Sequence, residues 1–180
     1  EGALLVVAKK NGVDPDTLKK EWRQIDAIPF ESQHAYMATL CKDPAESENL
    51  IAWKGSIESA IKRCRFTMSA NGRLEPFDEE SLNLKSAAMG KVGMRVLALA
   101  SKRVDSSKQH LDRPDVDSDM VFLGLQGMID PPRPEVVDAI HQCQTAGLTV
   151  KMITGDHMIT AEAIAIQIGI SKAAISPSAE

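Results

Sequence analysis

Between residues 120 and 153, two apolar runs, "MVFLGLQGMI" and "LTVKMI", flank a helical pattern, "DPPRPEVVDAIHQCQTAG". No other stretch restricts the fold as strongly. A helix between two strands returns the chain to the end where the first strand began, so the strands run parallel, and parallel strands covered on both faces read as unbroken apolar runs. Pro134 near the helix start and Gly147 past its end mark its limits, and Val136, Val137, Ile140 and Cys143 give it one apolar face. Ile164 and Ile168 do the same for a last helix that follows Thr154-Gly155-Asp156. The stretch predicts a parallel βαβ segment.

Upstream the pattern differs. "EGALLVVAKK" has apolar positions at helical spacing and stops at Asn11-Gly12, and a second helix follows from Asp14, which can cap it with Pro15 in the first turn. "QIDAIPF", "AYMATLCK" and "NLIAWKG" read as three short strands with short polar links, which predicts an antiparallel sheet. "SIESAIKRC" is a helix opened by Ser56, "EESLNLKSAAMGKVG" a helix ending near Gly90 or Gly93, and "MRVLALASKR" a strand. Residues 104 to 119, acidic and turn-rich, read as a surface loop with almost nothing to bury. The change of architecture falls near 119 to 130.

Composition narrows the function classes. A chain of 180 residues with 43% hydrophobic and 26% charged residues can bury a core in one or two domains. The net charge of −4 and the scattered Lys and Arg argue against a nucleic-acid partner. Cys41, Cys64 and Cys143 lack metal or disulfide spacing, the histidines show no ligand pattern, and a reduced, cytosolic setting fits best. No apolar run approaches the ~18 residues that span a bilayer. The chain begins in a helical pattern at Glu1, and it reads as a soluble piece of something longer.

Thr154-Gly155-Asp156 sits where a parallel sheet binds ligands, at the carboxyl end of a strand and the start of a helix, where backbone N–H groups favour anions. Thr154 offers a hydroxyl, Gly155 lets a ligand approach closely, and Asp156 can cap the helix or assist near a metal ion. The same triplet can be only a strand-to-helix turn. "GKVG" at 90 to 93 lacks the spacing and the Ser or Thr of a phosphate-binding Walker loop.

Together, "GMIDPPRPEV" and "MITGDHMITAEAIAIQIGI" resemble the cytoplasmic region of the P-type cation-transporting ATPases, pumps that pass through an aspartyl-phosphate. "EGALLVVAKK", "IPFESQHAYMATL", "WKGSIESAIKRC" and "GMRVLALA" follow that family's order, so the resemblance covers nearly the whole chain. It implies an α/β (α+β) fold. Residues 1–118 would be a nucleotide-binding domain, an antiparallel sheet with flanking helices, and 119–180 a partial phosphorylation domain of the haloacid-dehalogenase type. It implies that Phe30 stacks on adenine, that Lys54 and Gly55 lie beside the nucleotide, that Arg95 nears the phosphates and Glu1 the adenine edge, and that Thr154, Gly155 and Asp156 contact the transferred phosphoryl group. On the residues alone, Phe30 could equally be core, Lys54 a surface charge, and Arg95 a partner of Glu79 or Glu80.

The chain departs from the family pattern at Ser56-Ile57, where Ala-Pro is usual, which would loosen that turn, and at Ala35 and Ser32, where cations are common. The family's Asp-Lys-Thr-Gly-Thr nucleophile motif and its Gly-Asp-Gly magnesium motif do not occur in the sequence, so no catalytic residue and no metal ligand is assigned here. The implied partners are ATP or ADP, with Mg2+ in the parent enzyme, and the parent's actuator, phosphorylation and transmembrane domains, which would hold the transported cation. "DPPRPE" leans toward the calcium-pump-like branch. The expected role is ATP binding by the cytoplasmic part of an ion pump, with the isolated chain inactive in hydrolysis. The alternatives are a non-catalytic scaffold with a decayed nucleotide site and a stand-alone phosphatase, against which the missing nucleophile motif argues.

Overall fold

The computed structural model describes residues 2–45 and 47–171. One compact unit takes in the described part of Glu1–Asn83 with Leu97–Gln126, and the second takes in Leu84–Val96 with the described part of Gly127–Glu180. Glu1 and residues 172–180, to which the family resemblance assigns an adenine contact and the end of the phosphorylation segment, lie outside the described residues.

The first unit opens with helices α1 (Gly2–Lys10) and α2 (Pro15–Glu21). As the sequence predicts, the Asp14 carboxylate caps α2 by accepting from the Asp16 and Thr17 N–H groups, and Pro15 fills a first-turn position whose N–H would have no helical partner. Strands β1 (Gln24–Glu31), β2 (Tyr36–Cys41) and β3 (Glu48–Gly55) then form the expected antiparallel ladder. Burial alternates strictly along β2 and β3. Tyr36, Ala38, Leu40, Asn49, Ile51, Trp53 and Gly55 face inward, so Met37, Thr39, Ala52 and Lys54 face the other way. Each large apolar side chain buried in this way contributes about 1.5–3 kcal/mol.

Helix α3 (Ile57–Arg63) covers the inner face with Ala60, and Ser56 caps it by accepting from the Ser59 N–H at 3.1 Å. The expected loosening at Ser56-Ile57 is therefore absent: Ser56 supplies a cap that alanine lacks, and Ile57 packs on the core. Strands β4 (Cys64–Met68) and β5 (Leu74–Pro76) form a hairpin that sequence reading passed over, although Asn71-Gly72 marks its turn, with Gly72 at φ 77°. After α4 (Glu79–Lys91), strand β6 (Arg95–Asp105) pairs antiparallel with β3. The sheet order is β1-β2-β3-β6-β7-β4-β5, where β7 is Met120–Met128 and runs parallel to β4. The sheet is thus mixed rather than purely antiparallel.

The stretch from 104 to 119 is not a bare loop. It carries the end of β6 and a short helix α5 (Arg113–Val116), and it sends Leu111 and Val116, 5% and 0% exposed, into the same core as Ile28, Tyr36 and Trp53. Two apolar residues suffice to anchor an otherwise acidic segment.

In the second unit, α6 (Pro134–Thr145) starts and stops as the sequence predicts. Gly147 adopts φ 76°, and the Leu148 N–H returns to the Cys143 carbonyl at 2.9 Å to close the helix end. Ile140 is buried and Val136 and Cys143 half-buried, but Val137 is 41% exposed and lies off the packed face. Helix α7 (Met158–Gln167) packs through Thr160, Ala165 and the adjoining Ile168; the Thr160 hydroxyl donates to the Met94 carbonyl at 2.9 Å. The strand expected over "LTVKMI" does not form. Residues 148–153 belong to no strand, with Leu148 60% and Ile153 98% exposed. A buried parallel strand requires paired strands on its edges, and this segment pairs with no strand among the described residues.

Candidate functional site

Three of the expected site residues gather at one end of the first unit's sheet. Ile28 pairs with Ala38 and Glu31 with Tyr36, so three steps along β1 oppose two along β2, and the extra residue makes a bulge at Pro29-Phe30. A bulge re-aims its side chain, and Phe30 is 60% exposed although its strand belongs to the core. Lys54 pairs with Met37 on one side and Leu99 on the other, on the face turned away from Trp53 and Ile51. Phe30 and Lys54 thus share one end of the sheet with β2 between them.

Gly55 closes this end. A Cβ there would lie 2.6 Å from Tyr36 Cβ, 2.7 Å from Trp53 Cη2 and 2.8 Å from the Ala35 carbonyl oxygen, so only glycine fits. The packing beneath it is tight: the Tyr36 and Trp53 rings stack with centroids 5.8 Å apart, and the Arg63 guanidinium sits 4.4 Å from the Tyr36 centroid.

The turn from Glu31 to Ala35 joins Phe30 to this frame. His34 and Ala35 N–H groups both donate to the Glu31 carbonyl, and Ala35 adopts φ 54°, a left-handed conformation that an alanine occupies at a cost of about 1–2 kcal/mol. Two contacts hold the turn on the start of α3: the Ser56 N–H donates to the Ala35 carbonyl at 2.9 Å, and the Ser59 hydroxyl to the His34 carbonyl at 2.8 Å. Neither residue 32 nor residue 35 brings a positive charge to this end.

Among the described residues, the expected Arg95, Thr154, Gly155 and Asp156 form a group in the second unit. Arg95 does not meet Glu79 or Glu80. Its Nε donates to Asp156 Oδ1 at 2.7 Å, and its Nη2 donates to the same oxygen. The Thr154 hydroxyl donates to Asp156 Oδ2 at 3.0 Å and accepts from the Asp156 N–H at 3.1 Å. These contacts, Arg95's above all, hold the Asp156 carboxyl below its ordinary value. Asp156 is therefore not the cap of α7; His157 takes that place, its Nδ1 accepting from the Ile159 N–H at 3.4 Å. Around Gly155 a Cβ would meet nothing within 4 Å, so the backbone is open to approach.

Among the described residues no group of three or more His, Cys, Asp or Glu could hold a metal ion. With Asp156 committed to Arg95 and Thr154, these residues do not form a magnesium site of their own. Nor is any helix among them long and apolar enough to cross a membrane. Sequence reading missed Glu31 and Arg113: one Arg113 nitrogen donates to both Glu31 carboxylate oxygens at 2.8 Å. Their separation of 82 residues leaves no local signal, although a carboxylate directly after an exposed aromatic in an edge strand invites the question of its partner.

A family profile described as P-type ATPase, cytoplasmic domain N, matches residues 1–135. The cation-transporting ATPase pma1 of Synechocystis sp. is 44% identical over 171 residues, covering 95% of this chain and 19% of that protein. Calcium-transporting ATPase 1 of Bacillus cereus is 38% identical over 96% of this chain and 19% of its own length. The sodium/potassium-transporting ATPase alpha subunit of Tetronarce californica is 39% identical over 82% of this chain and 15% of its own.

Proposed function

This chain belongs to the P-type ATPases, matching their cytoplasmic domain N, and from that premise we propose that it binds an adenosine nucleotide at the sheet end shared by Phe30, Lys54 and Gly55. One observation carries the reading. The bulge turns a phenylalanine outward at 60% exposure beside the only end of β3 that presents a lysine on the outer face, the pair that adenine stacking and phosphate attraction require. On this reading Glu1 lies near the adenine edge, Arg95 serves the phosphates, and Thr154, Gly155 and Asp156 contact a phosphoryl group.

The chain spans about a fifth of the length of the curated relatives it matches, 19% in the first. Residues 1–118 are then the nucleotide-binding domain and 119–180 part of a phosphorylation domain of the haloacid-dehalogenase type, in which "LTVKMI" becomes a parallel strand once its neighbours are present. The parent would use ATP with Mg2+ and an aspartyl-phosphate to drive a cation, calcium being favoured by "DPPRPE", across a membrane, with this part on the cytoplasmic side. Hydrolysis needs the family's Asp-Lys-Thr-Gly-Thr nucleophile motif, which the sequence lacks, so the chain alone binds without turnover.

Titration with ATP and ADP, followed by backbone NMR, tests the reading. One stacked base and few charges give a dissociation constant of roughly 0.1 to several millimolar. Phe30→Ala removes ~1–3 kcal/mol of that, taking base stacking in nucleic-acid complexes as the scale. Lys54→Ala weakens binding more than Lys42→Ala, most of all at low salt, and Ala35→Lys tightens it by about 0.5–1.5 kcal/mol. Resonances of Phe30 and Lys54 that stay unmoved at about ten millimolar nucleotide, well above this range, overturn the site, and a hydroxylamine-sensitive phosphoprotein overturns the inactivity.

A further inference from the structure

The segment from 109 to 116 lies along β1, and its contacts bracket the bulge. On one side the Leu111 N–H donates to Asp26 Oδ2 at 2.9 Å, and on the other Arg113 donates to Glu31. Asp26 and Glu31 sit on β1 either side of Pro29-Phe30. The segment is itself fixed. Leu111 and Val116 are buried in the core, Lys108 pairs with Asp115 at 2.7 Å, and Lys102 donates to the Asp115 and Ser118 carbonyls at 3.1 and 3.0 Å.

β1 is an edge strand with a ladder only to β2, and that ladder is interrupted at the bulge. A ring that is 60% exposed has little packing to choose its direction, so its direction comes from the backbone that carries it. We infer that the 109–116 strap, through Arg113 on Glu31 and the Leu111 N–H on Asp26, positions Phe30 for an adenine ring. Arg113 is a positioning residue: it sets the aromatic platform through Glu31 and does not reach for the ligand. The inference rests on the nucleotide reading above and adds the group that makes the platform rigid.

The test uses the 180-residue chain with Arg113→Ala, Arg113→Lys, Phe30→Ala and the Arg113→Ala/Phe30→Ala double variant, titrated with ATP and with inorganic tripolyphosphate, which carries the charge without the base. Arg113→Ala is expected to weaken ATP roughly two- to fivefold, the scale of one partly exposed ion pair. Tripolyphosphate affinity is expected to stay unchanged, the melting midpoint to fall by no more than about 4 °C, the scale of losing one exposed ion pair, and the Phe30 ring resonances to shift before any ligand is added. Arg113→Lys restores most of the loss, and Arg113→Ala has no further effect once Phe30 is alanine. Equal weakening of ATP and tripolyphosphate, or unmoved Phe30 resonances, overturns the positioning role. A loss in Phe30→Ala without one in Arg113→Ala overturns that role alone, whereas ATP affinity indifferent to Phe30→Ala overturns the nucleotide reading and the positioning role with it.

Discussion

Ile51 and Ile153 are the same residue in two apolar runs of similar appearance, and they end as differently as two isoleucines can. Ile51 sits on β3 between β2 and β6 with no exposed surface; Ile153 follows a segment in no strand and is 98% exposed. The first unit's sheet joins the neighbouring strands β1, β2 and β3 to β6 and β7 from farther along the chain, so each of its strands finds a ladder within it. The run at 148–153 finds none among the described residues. An apolar pattern is thus a demand for burial, and only the presence of partners decides whether the demand is met.

The contrast can be broken by substitution. Ile51→Ala should destabilise the first unit by about 2–5 kcal/mol, whereas Ile153→Ala should stay within about 0.5 kcal/mol, both read from urea unfolding. Comparable losses would mean that 148–153 packs in solution. The two glycines that follow Lys54 and Thr154 divide the same way. Gly55→Ala forces a Cβ against a ring and a carbonyl and should cost about 1–3 kcal/mol or more, while Gly155→Ala enters open space and should be near neutral for folding.

Smaller effects sharpen the picture. Ala35→Gly relieves the left-handed strain and should stabilise the first unit by about 0.5–1 kcal/mol, the strain less the added freedom of glycine when unfolded. A loss of stability there would mean that the turn relaxes in solution. In the second unit, Arg95 holds the Asp156 carboxyl below its ordinary value. The folded form therefore binds that proton less readily than the unfolded chain, so the pair's contribution is complete above the unfolded value of about 3.9 and is lost as pH falls through the lower folded value. Protection of the Thr160 and Ile164 amides, relative to their intrinsic exchange rates, should fall below about pH 4 by no more than the ~1 kcal/mol of an exposed pair, and Asp156→Asn should remove that part of the pH dependence. An unchanged profile in Asp156→Asn would mean that the pair adds nothing.

How much of this was legible follows from range. The three short strands between 24 and 55, the Asp14 and Ser56 caps and the Gly147 stop are written within a few residues of where they act, and each is found where the sequence places it. The strap was hidden because Leu111 and Val116 are single apolar residues in an acidic stretch with no period. Arg95 was read against nearby glutamates, yet its partner lies 61 residues on, a distance at which no local pattern speaks. Phe30 and Lys54 were named through family resemblance; that they share a sheet end follows from a bulge, which shows only in the register.

The strap has a second consequence, for how copies of this chain meet one another. A sheet ends in two rows of unpaired backbone groups, each an invitation to another strand. At β1 the rim carries a proline, a bulge and two carboxylates already bound to the strap; at β5 it is three residues long and ends in Pro76. Neither rim offers a long, flat stretch for a strand to zip onto, so the architecture that steadies one phenylalanine also guards the sheet against growing into its neighbours.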